Sequence, residues 1–240
     1  MGDAGHHVVR LHERDRMDSC DGMDMSFISS IHIEPSSRCT LLCPQCPRTE
    51  NLDMISSEDC DIDSMVKACH DYQEVLMCGN HGDPIYHREF HRLIRKLKED
   101  RADRNIRIIT NGAFRSREWW DGLARLLTHE DDSITFSIDG MPDNNHLYRV
   151  NSKWSTIEDG IVALRNANPA LILLWKWILF RYNEGQIHNG ITYAKELGFK
   201  KFILVKSVRY EEGDTLTPTR SYDKIKEETL RWHQSHHAVR

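Results

Sequence analysis

The 240-residue sequence lacks the features that mark membrane-spanning and secreted proteins. It has no run of about 18 apolar residues, the length that a membrane-spanning helix needs. The opening stretch, MGDAGHHVVRLHERDRMD, lacks the apolar centre of a secretory signal peptide. These absences predict a cytoplasmic protein without a membrane-spanning helix.

A strong charge of either sign is also missing. The formal net charge is -5 and the isoelectric point is about 6.3, so nonspecific nucleic-acid binding is not indicated. Repeats and low-complexity tracts are absent as well. With 39% hydrophobic and 29% charged residues, the chain can bury one substantial core.

Cysteine is present in an odd number, seven, and none follows Cys78. Without an export signal, this favours thiol or metal chemistry over a disulfide framework. Cys39, Cys43 and Cys46 form a CxxxCxxC motif. Thiolates at this spacing can converge on one centre, and three of them leave one iron of a four-iron cluster without a protein ligand. An incomplete coordination shell indicates catalysis rather than a structural site.

Apolar and β-branched runs alternate with segments that carry apolar residues at helical spacing. The pattern predicts an α/β fold with six parallel strands, each followed by a crossover helix, in a sheet that curls into a partial (βα)6 barrel. The strands are expected to begin near Ile31, Val75, Ile106, Ile134, Ile172 and Phe202. The clearest helical stripes cover residues 62–69, 90–97, 120–127 and 187–197.

The organisation of the chain is predicted from composition and periodicity. Residues 1–26 form a polar N-terminal extension, residues 27–209 form the core, and residues 210–240 form a C-terminal extension. Within the last segment, a helix is expected from Tyr222 to about Gln234.

Unusual sequences follow the first four predicted strands. They are EPSSRCTLLCPQCPRT, GNHGDP, TNG, and SIDG followed by HLYR. In a parallel α/β sheet, functional loops gather at the carboxyl ends of the strands. Four strand ends are therefore expected to meet at one site.

These motifs together resemble the radical S-adenosylmethionine (radical SAM) superfamily, and most of all the branch whose members often carry a SPASM or twitch extension. The similarity covers roughly residues 28–209. It implies a partial barrel of the radical SAM type and a [4Fe-4S] cluster bound by Cys39, Cys43 and Cys46, with SAM on the fourth iron. Because no cysteine follows Cys78, the auxiliary clusters of that branch are not expected.

The resemblance also implies contacts to SAM at the strand ends. Gly82, Asp83 and Pro84 match the glycine-rich loop of the family, with Asp where Glu is usual. Arg149 stands where related enzymes hold the SAM carboxylate, and a guanidinium suits that group. Further polar contacts would come from Asn111, Ser137 and Asp139.

The activity implied by the resemblance is that of a radical SAM enzyme, of an oxidoreductase or isomerase type. Such an enzyme cleaves SAM reductively to a 5′-deoxyadenosyl radical, which abstracts hydrogen from a substrate. The substrate here is unidentified and could be a peptide, a sugar or a nucleotide. The implied partner is an external one-electron donor such as flavodoxin or ferredoxin.

Two other functions use the same thiols. An electron-transfer or cluster-carrying protein would bind the cluster without cleaving SAM. A zinc-stabilised binding module would complete the cysteine set with His70 or His81.

Lys176 interrupts the apolar strand LILLWKWILF between Trp175 and Trp177. Strand alternation predicts that its side chain lies on the face opposite the two tryptophans. If that face is the interior of the barrel, Lys176 could contact substrate. The alternative is that its aliphatic part packs in the strand and its charge extends to the strand end.

Overall fold

A computed structural model of the chain describes residues 30–51, 55, 58–80, 82–209 and 213–237. The predicted N-terminal extension, residues 1–26, lies outside the described residues. No helix in the described ranges is long and apolar enough to span a membrane.

Six parallel strands form one sheet in which spatial order follows chain order. The strands are β1 (Ser30–Ile33), β2 (Glu74–Met77), β3 (Asn105–Thr110), β4 (Ser133–Ser137), β5 (Ile172–Ile178) and β6 (Lys201–Val205). Each begins within one residue of its predicted start, and the predicted six-stranded α/β fold is confirmed. This order places the carboxyl ends of all six strands along the same edge of the sheet.

The helices cover the four predicted stripes and add elements that periodicity did not indicate. They are α1 (Pro47–Glu50), α2 (Ile62–Ala68), α3 (Phe90–Asp100), α4 (Arg117–Leu126), α5 (Trp154–Ala167), α6 (Ile187–Glu196) and α7 (Tyr222–His237). The predicted C-terminal helix begins at Tyr222 as expected and continues beyond Gln234. The short helix α1 directly follows the cysteine motif.

The main core lies between the helices and one face of the sheet. In β5, burial alternates along the strand, and Trp175 and Trp177 are fully buried. Helices α4 and α5 meet closely at Gly160, where an added Cβ would lie 2.6 Å from Nε1 of Trp120. The aromatic rings therefore pack on the helix side of the sheet, while the opposite face of β5 carries Lys176 together with Ile172, Leu174 and Ile178.

A second, smaller apolar cluster lies beneath the cysteine motif. It contains Leu41, Cys43, Tyr148 and Phe180, all buried. The rings of Tyr148 and Phe180 have centroids 4.2 Å apart. This cluster anchors the loop after β1 to the loops after β4 and β5, so the cysteine motif is held by packing as well as by hydrogen bonds.

Candidate functional site

A cavity of about 270 Å³ opens at the carboxyl ends of the strands. The structure brings together around it the predicted site residues Cys39, Cys43, Cys46, Gly82, Asp83, Asn111, Ser137 and Arg149. Pro84 and Asp139, the two remaining predicted SAM contacts, are buried and do not line the cavity. The motifs that follow four different strands thus meet at one place.

The loop that carries the three cysteines is closed by Arg48. Its guanidinium donates to the carbonyl of Cys39 at 3.1 Å and to that of Leu41 at 2.6 Å. Arg48 is only 4% exposed, and its hydrogen bond to Leu41 is buried whereas that to Cys39 is partly buried. The backbone N–H of Cys46 also donates to the carbonyl of Cys43 at 3.0 Å. These bonds fix the path of the chain between the first and last cysteine.

Two donors approach the sulfur atoms from other strand ends. Asn111 Nδ2 lies 3.3 Å from Cys39 Sγ, and Arg149 Nη1 lies 3.9 Å from Cys43 Sγ. Burial raises the pKa of the Cys39 thiol to about 12. Burial also raises the pKa of Cys43, although Arg149 acts in the opposite direction. Because metals bind thiolates, loading this site with metal should release protons.

The histidines that could complete a zinc site do not join the cysteines in the described part of the chain. His70 is exposed and its Nδ1 lies 3.0 Å from Asp100 Oδ1, away from the cavity. His81 lies outside the described residues. Among the residues that are described, no three His, Cys, Asp or Glu side chains stand close enough to hold a single metal ion.

Asp83 joins the loop after β2 to the end of β3. Its carboxylate accepts hydrogen bonds from the backbone N–H and the side-chain amide of Asn111, at 2.7 and 2.6 Å, and from the hydroxyl of Thr110 at 2.9 Å. It also accepts from the backbone N–H of Ile85 at 3.2 Å. Burial raises the pKa of Asp83 to about 6, against the lowering effect of these donors. Asp83 therefore organises the site mainly through protein contacts.

Gly82 allows the loops after β1 and β2 to pack backbone to backbone. A Cβ at this position would lie 2.2 Å from the carbonyl oxygen of Ser36 and 2.6 Å from Cα of Ser37. Backbone cannot withdraw from such a contact as a flexible side chain can. Glycine is thus required here by the approach of the cysteine-bearing loop.

Arg149 forms a buried ion pair with Asp139. Its Nε donates to Asp139 Oδ2 at 2.6 Å, while Asp139 Oδ1 accepts from the backbone N–H of Ile178 at 2.7 Å. The side chain of Asp139 is fully buried and that of Arg149 is 15% exposed. Arg149 also lines the cavity, where a guanidinium is suited to an anionic group.

Lys176 lines the same cavity and its side chain lies opposite Trp175 and Trp177, which confirms the prediction from strand alternation. It pairs in register with Ser137 of β4. Both side chains therefore reach the cavity from the same level of the sheet.

Arg48 and Thr110 line the cavity but were not predicted as site residues from the sequence. Arg48 stands two residues after the last cysteine of the motif, and Thr110 immediately precedes Asn111. Both lie inside the motifs quoted above, Arg48 in EPSSRCTLLCPQCPRT and Thr110 in TNG, and that position was the available signal. Their partners are carbonyl and carboxylate groups in other loops, which local patterns do not reveal.

Comparison with known proteins supplies the family. A model of the radical SAM superfamily matches residues 33–208, and the chain belongs to this superfamily. Members of the superfamily use a [4Fe-4S] cluster and SAM. No curated protein sequence is similar enough to match the chain.

Solved structures share the fold. One is anSMEcpe with bound AdoMet, with a TM-score of 0.65 and 19% identity over 85% of this chain and 59% of that one. Another is SuiB of Streptococcus suis, with a TM-score of 0.67 and 14% identity over 88% of this chain and 48% of that one. TYW1 with a lysine-pyruvate adduct bound has a TM-score of 0.61 and 13% identity, over 86% of this chain and 73% of that one.

The chain spans 59% and 48% of the lengths of the first two structures. The shared architecture confirms the partial barrel of the radical SAM type.

Proposed function

We propose that Cys39, Cys43 and Cys46 bind three irons of a [4Fe-4S] cluster and that the chain cleaves SAM reductively. The observation that carries this proposal is the convergence of the three thiols on one cavity that also contains Asn111 and Arg149 beside the sulfur atoms. The donor set fits the group, because three sulfur ligands and nearby hydrogen-bond donors suit an iron–sulfur cluster.

When bound, the reduced cluster would supply the single electron that breaks the S–C5′ bond of SAM, giving methionine and a 5′-deoxyadenosyl radical able to abstract hydrogen from substrate. The residues of the chain bind, orient and shield these groups. Arg48 holds the carbonyls of the cysteine loop. Burial of Leu41 and Tyr148 beneath the motif limits the access of water to the cysteines.

The SAM contacts are proposed for the strand ends. The guanidinium of Arg149 would bind the carboxylate of SAM, and Asp139 would act through Arg149 by fixing its orientation. Asn111 and Ser137 would meet polar groups of the methionyl and ribose parts. The loop at Gly82, Asp83 and Pro84 would receive the amino group through its backbone, with the Asp83 side chain holding the loop on β3.

The substrate and the partners belong to the same proposal. A reducing, cytoplasmic setting with a flavodoxin or ferredoxin as electron donor suits a site built from free thiols. Related structures have been solved with peptides bound, such as SuiB with the precursor peptide SuiA. A peptide is therefore one candidate substrate, beside a sugar or a nucleotide. The division into residues 1–26, 27–209 and 210–240 stays a prediction.

The test begins with anaerobic purification and reconstitution of the full chain. Wild-type protein should contain about four irons and four sulfides per chain and should release 5′-deoxyadenosine from SAM when reduced by dithionite. Cys43→Ala should lose both the cluster and the product. Cys60→Ala is the matched control, because Cys60 is half-buried outside the cavity lining and should keep both.

Each other outcome identifies a different function. A cluster without saturable SAM binding would indicate an electron-transfer or cluster-carrying protein. Zinc without iron or sulfide would indicate the binding module. Iron content in Cys43→Ala equal to wild type would overturn the proposed ligand set.

A further inference from the structure

The side chain of Lys176 enters the cavity from the middle of β5. Its neighbours Trp175 and Trp177 pack on the opposite face, and its backbone pairs with that of Ser137. Lys176 therefore lies beside Ser137, a proposed SAM contact. It belongs to β5, which stands between β4 and the edge strand β6.

Within the described residues, the ammonium group of Lys176 has no hydrogen bond or ion pair. Burial lowers the pKa of Lys176, and the positive charges of Arg149 and Arg209 act in the same direction. The thiol of Cys78 and the carboxylate of Asp139 act in the opposite direction, but a thiol is a weak partner for an ammonium and Asp139 is already paired with Arg149. Lys176 is half-buried, and a charge partly withdrawn from water without a direct ion pair destabilises the folded state, so a partner that arrives from outside would stabilise it.

Positively charged side chains outnumber negatively charged ones in the described lining of the cavity. Among described residues, the cationic lining side chains are Arg48, Arg149, Lys176, Lys206 and Arg209, and the single carboxylate is that of Asp83. Asp83 is occupied by Thr110 and Asn111. Arg48 binds loop carbonyls and Arg149 binds Asp139. An excess of positive charge remains on the β5 and β6 side.

Lys206 and Arg209 stand at the mouth of this side of the cavity. Both are exposed and follow β6, the last strand of the sheet. Arg209 donates from Nη1 to the carbonyl of Gln45 at 2.9 Å, which keeps it near the cysteine loop. Two exposed cations ahead of a half-buried one form a path that attracts an anion.

We propose that Lys176 binds an anionic oxygen group of the substrate, a phosphate or a carboxylate, that enters past Lys206 and Arg209. The inference rests on the proposed function, because it assigns the β4–β5 side to substrate and the cysteine side to the cluster and SAM. It narrows the substrate to molecules that carry such a group within reach of the proposed SAM site.

The test measures binding of two simple anions to the reconstituted full chain. Inorganic phosphate is titrated with ³¹P line widths and ¹³C-labelled acetate with ¹³C line widths. Lys176→Gln should bind the recognised anion about tenfold more weakly, the loss expected for one charge-assisted hydrogen bond. Lys176→Arg should retain binding, since it keeps the charge. Lys67→Gln, an exposed lysine of α2 away from the cavity, is the matched control.

The two anions distinguish the chemistry of the group. Binding of phosphate alone supports a phosphate, and binding of acetate alone supports a carboxylate. Failure of both anions to bind wild type, or equal binding by wild type and Lys176→Gln, would overturn the proposal. If Lys176→Gln bound SAM about tenfold more weakly as well, the lysine would belong to the SAM site and the proposal would be overturned. Anion binding requires no SAM cleavage, so absence of 5′-deoxyadenosine counts only against the proposed function.

A second variant makes the test independent of folding problems. Lys176→Met keeps an unbranched, flexible side chain of nearly the same length and removes the charge. Because the lysine is half-buried without an ion pair among the described residues, the midpoint of thermal unfolding of the full chain should rise while anion binding is lost. A lower midpoint together with normal anion binding would contradict the proposal.

Discussion

Asp83 accepts two hydrogen bonds from Asn111, one from its backbone N–H at 2.7 Å and one from its side-chain amide at 2.6 Å. The two residues are 28 positions apart and follow different strands. Asn111 in turn places Nδ2 at 3.3 Å from Cys39 Sγ. One carboxylate thus connects the GDP loop, the TNG loop and the first cysteine.

Asp83→Ala should destabilise the chain, because Thr110, Asn111 and Ile85 would lose a buried acceptor. We expect the free energy of unfolding to fall by about 3 kcal/mol, measured by urea denaturation. Asp83→Asn keeps the shape and one acceptor oxygen and should lose less. Asp103→Asn, an exposed carboxylate paired with Arg101, should change stability by less than about 0.5 kcal/mol. If the free energy of unfolding fell no more in Asp83→Ala than in Asp103→Asn, the hydrogen bonds to Asp83 would not stabilise the fold.

Asp139→Asn should affect both stability and SAM binding. It removes the counter-charge of Arg149, and breaking a buried pair typically costs about 3 kcal/mol. The guanidinium also loses its fixed orientation, so the dissociation constant for SAM should rise about tenfold in equilibrium dialysis. Asp121→Asn, which breaks an exposed pair with Arg125, is the control. Unchanged SAM binding in a folded Asp139→Asn protein would rule out the positioning role of Asp139.

Arg48→Met should weaken the cysteine loop without removing a cysteine. The carbonyls of Cys39 and Leu41 would lose their buried donor. We expect reconstituted protein to hold less iron and sulfide and to lose its visible absorbance faster in air. Arg92→Met, at an exposed pair with Glu89, should behave as wild type. The role assigned to Arg48 fails if the cluster is as abundant and as stable in Arg48→Met as in that control.

Gly160→Ala tests the contact between α4 and α5. Alanine is favoured over glycine in a helix by about 1 kcal/mol, yet the added Cβ would lie 2.6 Å from Trp120 Nε1. Crowding in a packed core typically costs about 1–3 kcal/mol, so we expect a net loss of stability in urea denaturation. At Gly185 an added Cβ meets nothing within 4 Å, and Gly185→Ala should be close to neutral. An increase in stability for Gly160→Ala would show that Trp120 can shift at little cost.

Much of the fold could be predicted because its signals are local. Apolar runs such as the one from Ile172 mark strands, and turn residues mark where they end. Parallel order then requires that motifs at different strand ends lie on one edge. The same reasoning placed Lys176 opposite its neighbouring tryptophans, because side chains alternate along a strand with a period of two.

The amino-acid sequence by itself determined the six-stranded frame, the cysteine motif and the family resemblance, since spacing along the chain carries all three. Only the tertiary structure decided how the charges are used. Asp83 is occupied by the end of β3 and Arg149 is paired with Asp139, whereas Lys176 faces the cavity without a partner among the described residues. The physical reason is that a hydrogen bond or an ion pair depends on distance in space, and residues that are remote in sequence come within that distance only when the chain folds.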